Sequence, residues 1–224
     1  MTQKRYIIFD AGPLINFSMN GLLPLLERLK ENFPGEFLIT KEVKEEIIDH
    51  PSKIKRFELG ALRLRDLFNR GIIKHAELTP EQVSQLKKKR DEILNISNTM
   101  FRAKKRNIHI LDKGEAAAFA LEFVLKDESV LAIDERTARM LVENPESARQ
   151  ILENKLHTKV TGNKKNYNYF DGFKVIRSSE LIYIANKLNL IQLKDPKAYR
   201  AMLYGIKYKG CSVSMEEIKQ LIKL

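Results

Sequence analysis

Five acidic side chains stand where the sequence changes character: Asp10, Glu46, Asp112, Glu115 and Asp134. Asp10 follows the unbroken apolar run Tyr6-Ile-Ile-Phe9 and precedes a tight Ala-Gly-Pro turn. Glu46 lies in Lys41-Glu-Val-Lys-Glu-Glu46, Asp112 and Glu115 open an alanine-rich segment, and Asp134 closes Val130-Leu-Ala-Ile133. Each has a structural explanation. Asp112 and Glu115 have the spacing of a helix capping box, Glu46 suits a solvated helix face, and Asp134 can cap the helix after it. Together they carry chemistry. Carboxylates gathered on one rim raise each other's pKa, and they stay ionised together only beside cations. Oxygen-only donors suit Mg²⁺ or Mn²⁺. Such ions activate water and stabilise the leaving oxygen of a phosphodiester.

For these acids to meet, the chain must alternate strands with helices. The apolar patterning predicts strands over residues 5–9, 36–39, 72–76, 129–133 and 173–177. Caps and periodicity predict helices over 41–49 (with Thr40 as cap), 52–70, 116–125, 136–143, 179–188, 196–206 and 215–224. Thr79-Pro80-Glu81-Gln82 opens another helix, and residues 87–107 read as helical, charged and exposed. Residues 163–172 read as a loop or hairpin tip. Such alternation implies a mostly parallel, doubly wound sheet, in which ligands sit outside the carboxyl ends of the strands. At 224 residues the chain exceeds the usual domain size of roughly 100–150. We therefore expect one α/β domain over residues 1–224, with insertions at about 52–107 and 145–172.

Charge narrows the partners. Forty Lys+Arg against 29 Asp+Glu leave a net +11, a field that concentrates polyanions; a lysine-rich solvated surface is the alternative. The runs Lys87–Arg90 and Lys104–Arg106, including Lys104 and Lys105, are candidates to hold a phosphate backbone. Lys164 and Lys165 mix with Tyr167, Tyr169 and Phe170, a composition suited to stacking single-stranded bases or to packing on the domain. Several chemistries drop out. Cys211 stands alone, so no disulfide or cysteine-rich zinc module forms. His50, His75, His109 and His157 lack ligand spacing. No G-x-x-x-x-G-K-[ST] stretch exists. A haloacid dehalogenase phosphatase needs a second Asp where Gly12 stands, and a receiver domain needs paired acids at its start. No apolar run nears the ~18 residues of a membrane span, and the first residues do not read as a signal peptide; we expect a cytoplasmic protein with no membrane partner.

These residues resemble the PIN-domain family of metal-dependent ribonucleases. Tyr6-Ile-Ile-Phe-Asp-Ala-Gly-Pro-Leu-Ile15 is similar to its opening strand and first acid. Thr40-Lys-Glu-Val-Lys-Glu-Glu-Ile47 resembles its second motif, whose acid three residues after a Val selects Glu46. Leu111-Asp-Lys-Gly-Glu-Ala-Ala-Ala-Phe-Ala-Leu121 resembles the third, giving Glu115 with Asp112 as helper, and Val130-Leu-Ala-Ile-Asp-Glu-Arg-Thr-Ala-Arg139 the fourth. The C-terminal segments resemble the tail of a prokaryotic, toxin-like subgroup. The resemblance implies a three-layer α/β/α fold with a five-stranded, mostly parallel sheet, plus a helical insertion and C-terminal helices. It implies hydrolysis of RNA, single-stranded by preference, with Mg²⁺ or Mn²⁺ held by Asp10, Glu46, Asp112, Glu115 and Asp134, and phosphate contacts from Arg136 and Arg139. It also implies a protein antitoxin and a homodimer as partners. Ala11-Gly12 replaces the Thr or Ser frequent after the family's first acid, which supports one alternative: a module that grips RNA or protein without cutting. The other alternative is a toxin held by its antitoxin.

Overall fold

Tyr6-Ile-Ile-Phe9 has no polar face to turn to water, so it belongs in a sheet covered on both sides. The computed structural model describes residues 4–125 and 127–224. β1 (Arg5–Phe9) ends at Asp10, which caps α1 (Ala11–Met19) by accepting from the Gly12 amide at 3.3 Å. Gly21, at φ +68°, turns the chain into α2 (Leu23–Asn32); β2 (Glu36–Leu38) follows. Thr40 caps α3 (Lys41–Lys44), and the helix widens into a π turn over Glu45–Asp49. Such turns are rare and favour functional positions. Then come α4 (Glu58–Asn69), α5 (Pro80–Met100) with its Thr79–Gln82 capping box, β3 (Phe101–Ala103) and β4 (Arg106–Asn107). The chain continues through α6 (Lys113–Leu125), β5 (Glu128–Ala132), α7 (Arg136–Glu143), α8 (Pro145–Leu156) and β6 (Val160–Gly162). A 3-10 stretch (Lys164–Phe170) leads to β7 (Val175–Ile176), α9 (Ser178–Lys187), α10 (Ala198–Lys209) and α11 (Met215–Lys223).

The main sheet is wholly parallel, in the order β2-β1-β5-β7, with Ile8 beside both Leu38 and Leu131. Side chains alternate across it. Phe9, Phe37 and Ala132 face the layer of α1, α2, α4, α9 and α10, while Ile8, Leu38 and Leu131 face α5 to α8. Burying each such large side chain is worth about 1.5–3 kcal/mol. The result is the expected three-layer α/β/α arrangement, with four strands instead of five. The fifth, over 72–76, shrinks to a single bridge between Lys74 and Leu38. The His75 ring Nδ1 lies 2.9 Å from the Ile39 carbonyl, the same oxygen the next ladder bond would use. No helix among the described residues is long and apolar enough to cross a membrane.

One further expectation is corrected and one alternative is decided. Residues 87–107 are not one helix: α5 stops at Met100 because fully buried Phe101 turns into extended backbone, and β3 pairs with β4 and with β6 in a second, antiparallel sheet. Residues 163–172, a loop or hairpin tip by sequence, pack on the domain. They form the 3-10 stretch, anchored by buried Phe170 against Phe119 at 5.4 Å between ring centroids.

Candidate metal centre

The parallel sheet places Asp10, at the end of β1, beside Asp134, just past β5, on one rim; the Asp10 amide donates to the Ala132 carbonyl at 3.0 Å. Gly12 lies between the two acids. A Cβ built there would stand 3.5 Å from Asp134 Cβ and 3.6 Å from Asp10 Oδ2. Across the rim, Gly114 does the same for the second pair. Its Cβ position is 3.3 Å from both Glu46 Oε2 and Asp112 Oδ1, so those oxygens lie no further apart than twice that. Asp112 and Glu115 do form the capping box, with the Asp112 amide donating to Glu115 Oε2 and the Glu115 amide to Asp112 Oδ1, each at 2.9 Å. Capping and clustering are thus one arrangement: the cap fixes both carboxylates at the start of α6.

A residue the sequence reading passed over aims this turn. Asn98, on α5, accepts from the Ile110 and Leu111 amides at 2.6 and 3.0 Å and donates to the Leu111 carbonyl at 2.9 Å. Nothing in the polar sequence of α5 marks Asn98 out. Asn16 was also missed, although a polar residue between Leu14-Ile15 and Phe17 was a readable signal.

Electrostatics shows which carboxylates share a field. Asp10 is pushed up to about 7, first by burial and then by Glu46 and Asp112, against the opposing Ala11 and Gly12 amides. Glu115 is pushed up to about 9 by burial, then by Asp10, with Asp112 and Glu135 adding and the Asp112 amide opposing. Glu46, at the mouth of the site, is raised by partial desolvation and then by Asp112. Asp10, Glu46, Asp112 and Glu115 therefore form one repelling group, with Glu135 at its edge.

Asp134 is turned elsewhere. Its Oδ1 accepts from the Ser178 amide at 2.8 Å, and its Oδ2 accepts from Ser178 Oγ and Asn16 Nδ2, each at 2.6 Å. Burial, then the charge of Asp134 and a hydrogen bond to it, push the Cys211 thiol up. The side chain is 2% exposed and ties β5 to α1, α9 and the loop after α10.

Could this set hold an ion? Among the described residues, no three His, Cys, Asp or Glu side chains converge closely enough to grip one directly. Mg²⁺ is commonly held by one or two carboxylates and keeps several waters. The donors are all oxygens, Glu46 and Asp112 face each other over the Gly114 backbone, and neither enters an ion pair among the described residues. This chemistry fits a hydrated hard cation and not a closed protein cage.

The expected phosphate contacts separate. Arg136 is exposed at the start of α7. Arg139, expected to reach phosphate, is instead 5% exposed, donating to the Ser212 carbonyl at 3.2 Å and pairing with Glu143 at 3.2 Å. Lys104 and Lys105 are exposed at the β3–β4 turn, and Lys164 and Lys165 are exposed on the 3-10 stretch. Tyr167, a candidate either to stack on a base or to pack on the domain, packs 5.9 Å from Phe101 and donates to Glu146 at 3.2 Å. In the run at 87–90, Arg90 is paired with Glu42 at 2.7 Å and Lys89 with Glu92 at 3.3 Å.

A parallel α/β sheet with a carboxylate cluster at the carboxyl ends of its strands defines a structural class. Residues 6–146, more than half of the chain, match the family described as a PIN domain. The chain belongs to the PIN-domain family. PIN domains are generally nucleases and typically depend on divalent metal ions. No curated protein and no solved structure matches the chain.

Proposed function

We propose that this protein is a metal-dependent ribonuclease that hydrolyses phosphodiester bonds of single-stranded RNA with Mg²⁺ or Mn²⁺. One observation carries the reading: four carboxylates from three separate parts of the chain share one field, in which Asp10 and Glu115 are raised to about 7 and 9. In this reading Asp10, Glu46, Asp112 and Glu115 hold the ion, directly or through water. A divalent ion bound there makes water more acidic and stabilises charge on the departing oxygen. Asp10 is held by the Gly12 amide, and Asp112 and Glu115 by their mutual cap, so little ordering is left for the reaction to supply. Asp134 positions the wall behind Asp10, joining strand, α1 and α9. Exposed Arg136 takes a phosphate of the substrate.

The test is cleavage of single-stranded RNA with Mn²⁺ and with chelator by wild type, Asp10→Asn and Glu115→Gln. Each variant is expected to lose at least about 100-fold in rate, the scale of removing one electrostatic element of an active site. Cleavage unchanged in both variants, or persisting in chelator, overturns the assignment. RNA binding without cleavage in the wild type supports the non-cutting module that Ala11-Gly12 suggests.

A further inference from the structure

Most of the net charge sits in two short stretches. Residues 93–111 carry Arg102, Lys104, Lys105 and Arg106, and residues 154–170 carry Lys155, Lys159, Lys164 and Lys165; neither stretch contains an Asp or Glu. Removing these eight from the 40 Lys+Arg leaves 32 cations against 29 acids, so the rest of the chain is almost balanced. The fold sets the two stretches side by side. β3 pairs antiparallel with β6, Ala103 opposite Val160 and Phe101 opposite Gly162, with β4 on its other edge. Phe101 and Val160 point into the core, Arg102 and Thr161 outward. All eight cations are exposed, and none enters an ion pair among the described residues.

Local structure has given way to this charge. Lys104 and Lys105 both adopt positive φ, 48° and 65°, as a two-residue hairpin turn requires. Asn-Gly meets that requirement with less strain, so two adjacent lysines break the turn rule without any packing gain. Beside them an open cleft of about 860 Å³ lies between α8, β6 and the 3-10 stretch, with Lys159 and Lys164 on its walls. Its two acids, Glu146 and Glu153, are both taken by Arg149, at 2.6 and 2.5 Å. The excursion is also tied to the acidic rim. It leaves α5 just after Asn98 and returns to the Ile110–Leu111 segment that Asn98 holds. Lys105 is seven residues from Asp112, at most about 25 Å of extended chain.

We propose that this second sheet is a docking track for the phosphate backbone of single-stranded RNA, leading the strand toward the acidic cluster. The inference rests on the ribonuclease reading and extends it. A nucleic acid backbone fits better than an acidic protein. The surface is mostly lysine, with Leu156 its exposed large apolar side chain, and protein interfaces are depleted in lysine and centred on aromatic residues; Phe170 and Tyr167 are turned inward. A single strand fits better than a duplex, because Asp10 and Glu115 are only 6% and 8% exposed.

The experiment measures binding of fluorescein-labelled oligouridine by anisotropy, in chelator so that cutting does not intervene, over a range of salt concentrations. In the variant Lys104→Ala/Lys105→Ala/Lys159→Ala/Lys164→Ala, the dissociation constant is expected to rise at least tenfold. The salt slope is expected to flatten by up to about 2.8, at ~0.7 per single-strand phosphate contact. The matching quadruple Lys→Arg variant is expected to bind as the wild type does, and all proteins to melt alike. Unchanged affinity and slope, tighter binding of duplex RNA, or equal retention of polyglutamate overturns the proposal. Cleavage assays with Mn²⁺ run in parallel separate the two readings. Loss of binding in the alanine variant with no cleavage by wild type keeps the track and removes the nuclease. Cleavage by wild type with no effect of the variant on binding does the reverse.

Discussion

Asp10 and Asp134 leave neighbouring strands at one level and flank the same glycine, yet their surroundings give them opposite tasks. Asp10 meets two backbone amides and other carboxylates; Asp134 meets donors only. Replacing Asp134 by Ala orphans the Ser178 amide, Ser178 Oγ and Asn16 Nδ2, and each stranded buried donor costs about 1–3 kcal/mol. Asp134→Asn is expected to cost far less. Asn16 Oδ1 is buried without a hydrogen-bond partner, so its amide can turn to accept from the new NH₂ group, while the Ser178 hydroxyl rotates to accept as well. Thermal denaturation checks the order: a fall of at least about 2–4 °C for each 1 kcal/mol lost in Asp134→Ala, and a much smaller one in Asp134→Asn. Equal losses would mean that Asn16 cannot adapt.

At the scale of elements, Asn98 joins α5 to the start of α6 by three hydrogen bonds. Asn98→Ala is expected to speed amide exchange at Ile110 and Leu111 by at least about tenfold, the rate change that ~1.4 kcal/mol of lost protection gives, and to leave β1 amides unchanged. Uniform acceleration throughout the sheet would instead make Asn98 a general stability residue. β1, β5 and the caps at Thr40, Thr79 and Asp112 were legible because the responsible groups are close in sequence. The second sheet was not, because its β3–β6 ladder sets Phe101 opposite Gly162, about sixty residues away. Residues 72–76 have the composition of a strand, but they lie at the sheet edge, where the ladder stops after the Lys74–Leu38 bridge and the His75 ring turns to the Ile39 carbonyl. For the site, the acids and their element ends were legible. The commitment of Asp134 to Ser178, and the inward turn of Arg139 to Ser212, depend on partners far along the chain.

For the whole molecule, the acidic rim makes stability depend on pH and on divalent ions in a definite direction. Asp10 and Glu115 have folded-state pKa values near 7 and 9, above the unfolded range of about 4. The folded state therefore holds protons that the unfolded state releases. The stability tied to those protons is fully present below about pH 4 and is lost as pH rises through 7 and then 9. In chelator, the melting temperature should accordingly carry a component that declines from pH 5 to pH 9, and Asp10→Asn should flatten it. Asn caps a helix as well as Asp and brings no charge to bury. A divalent ion inverts the sign, since it binds ionised carboxylates in competition with protons. Mn²⁺ should raise the melting temperature more at pH 8 than at pH 5. At a hundred times its dissociation constant it would add about 2.7 kcal/mol, or roughly 5–11 °C for a chain of this size. Differential scanning fluorimetry across pH, with and without Mn²⁺, reads both effects independently of any substrate. A melting temperature indifferent to Mn²⁺ at pH 8 would show that no ion sits among the four carboxylates.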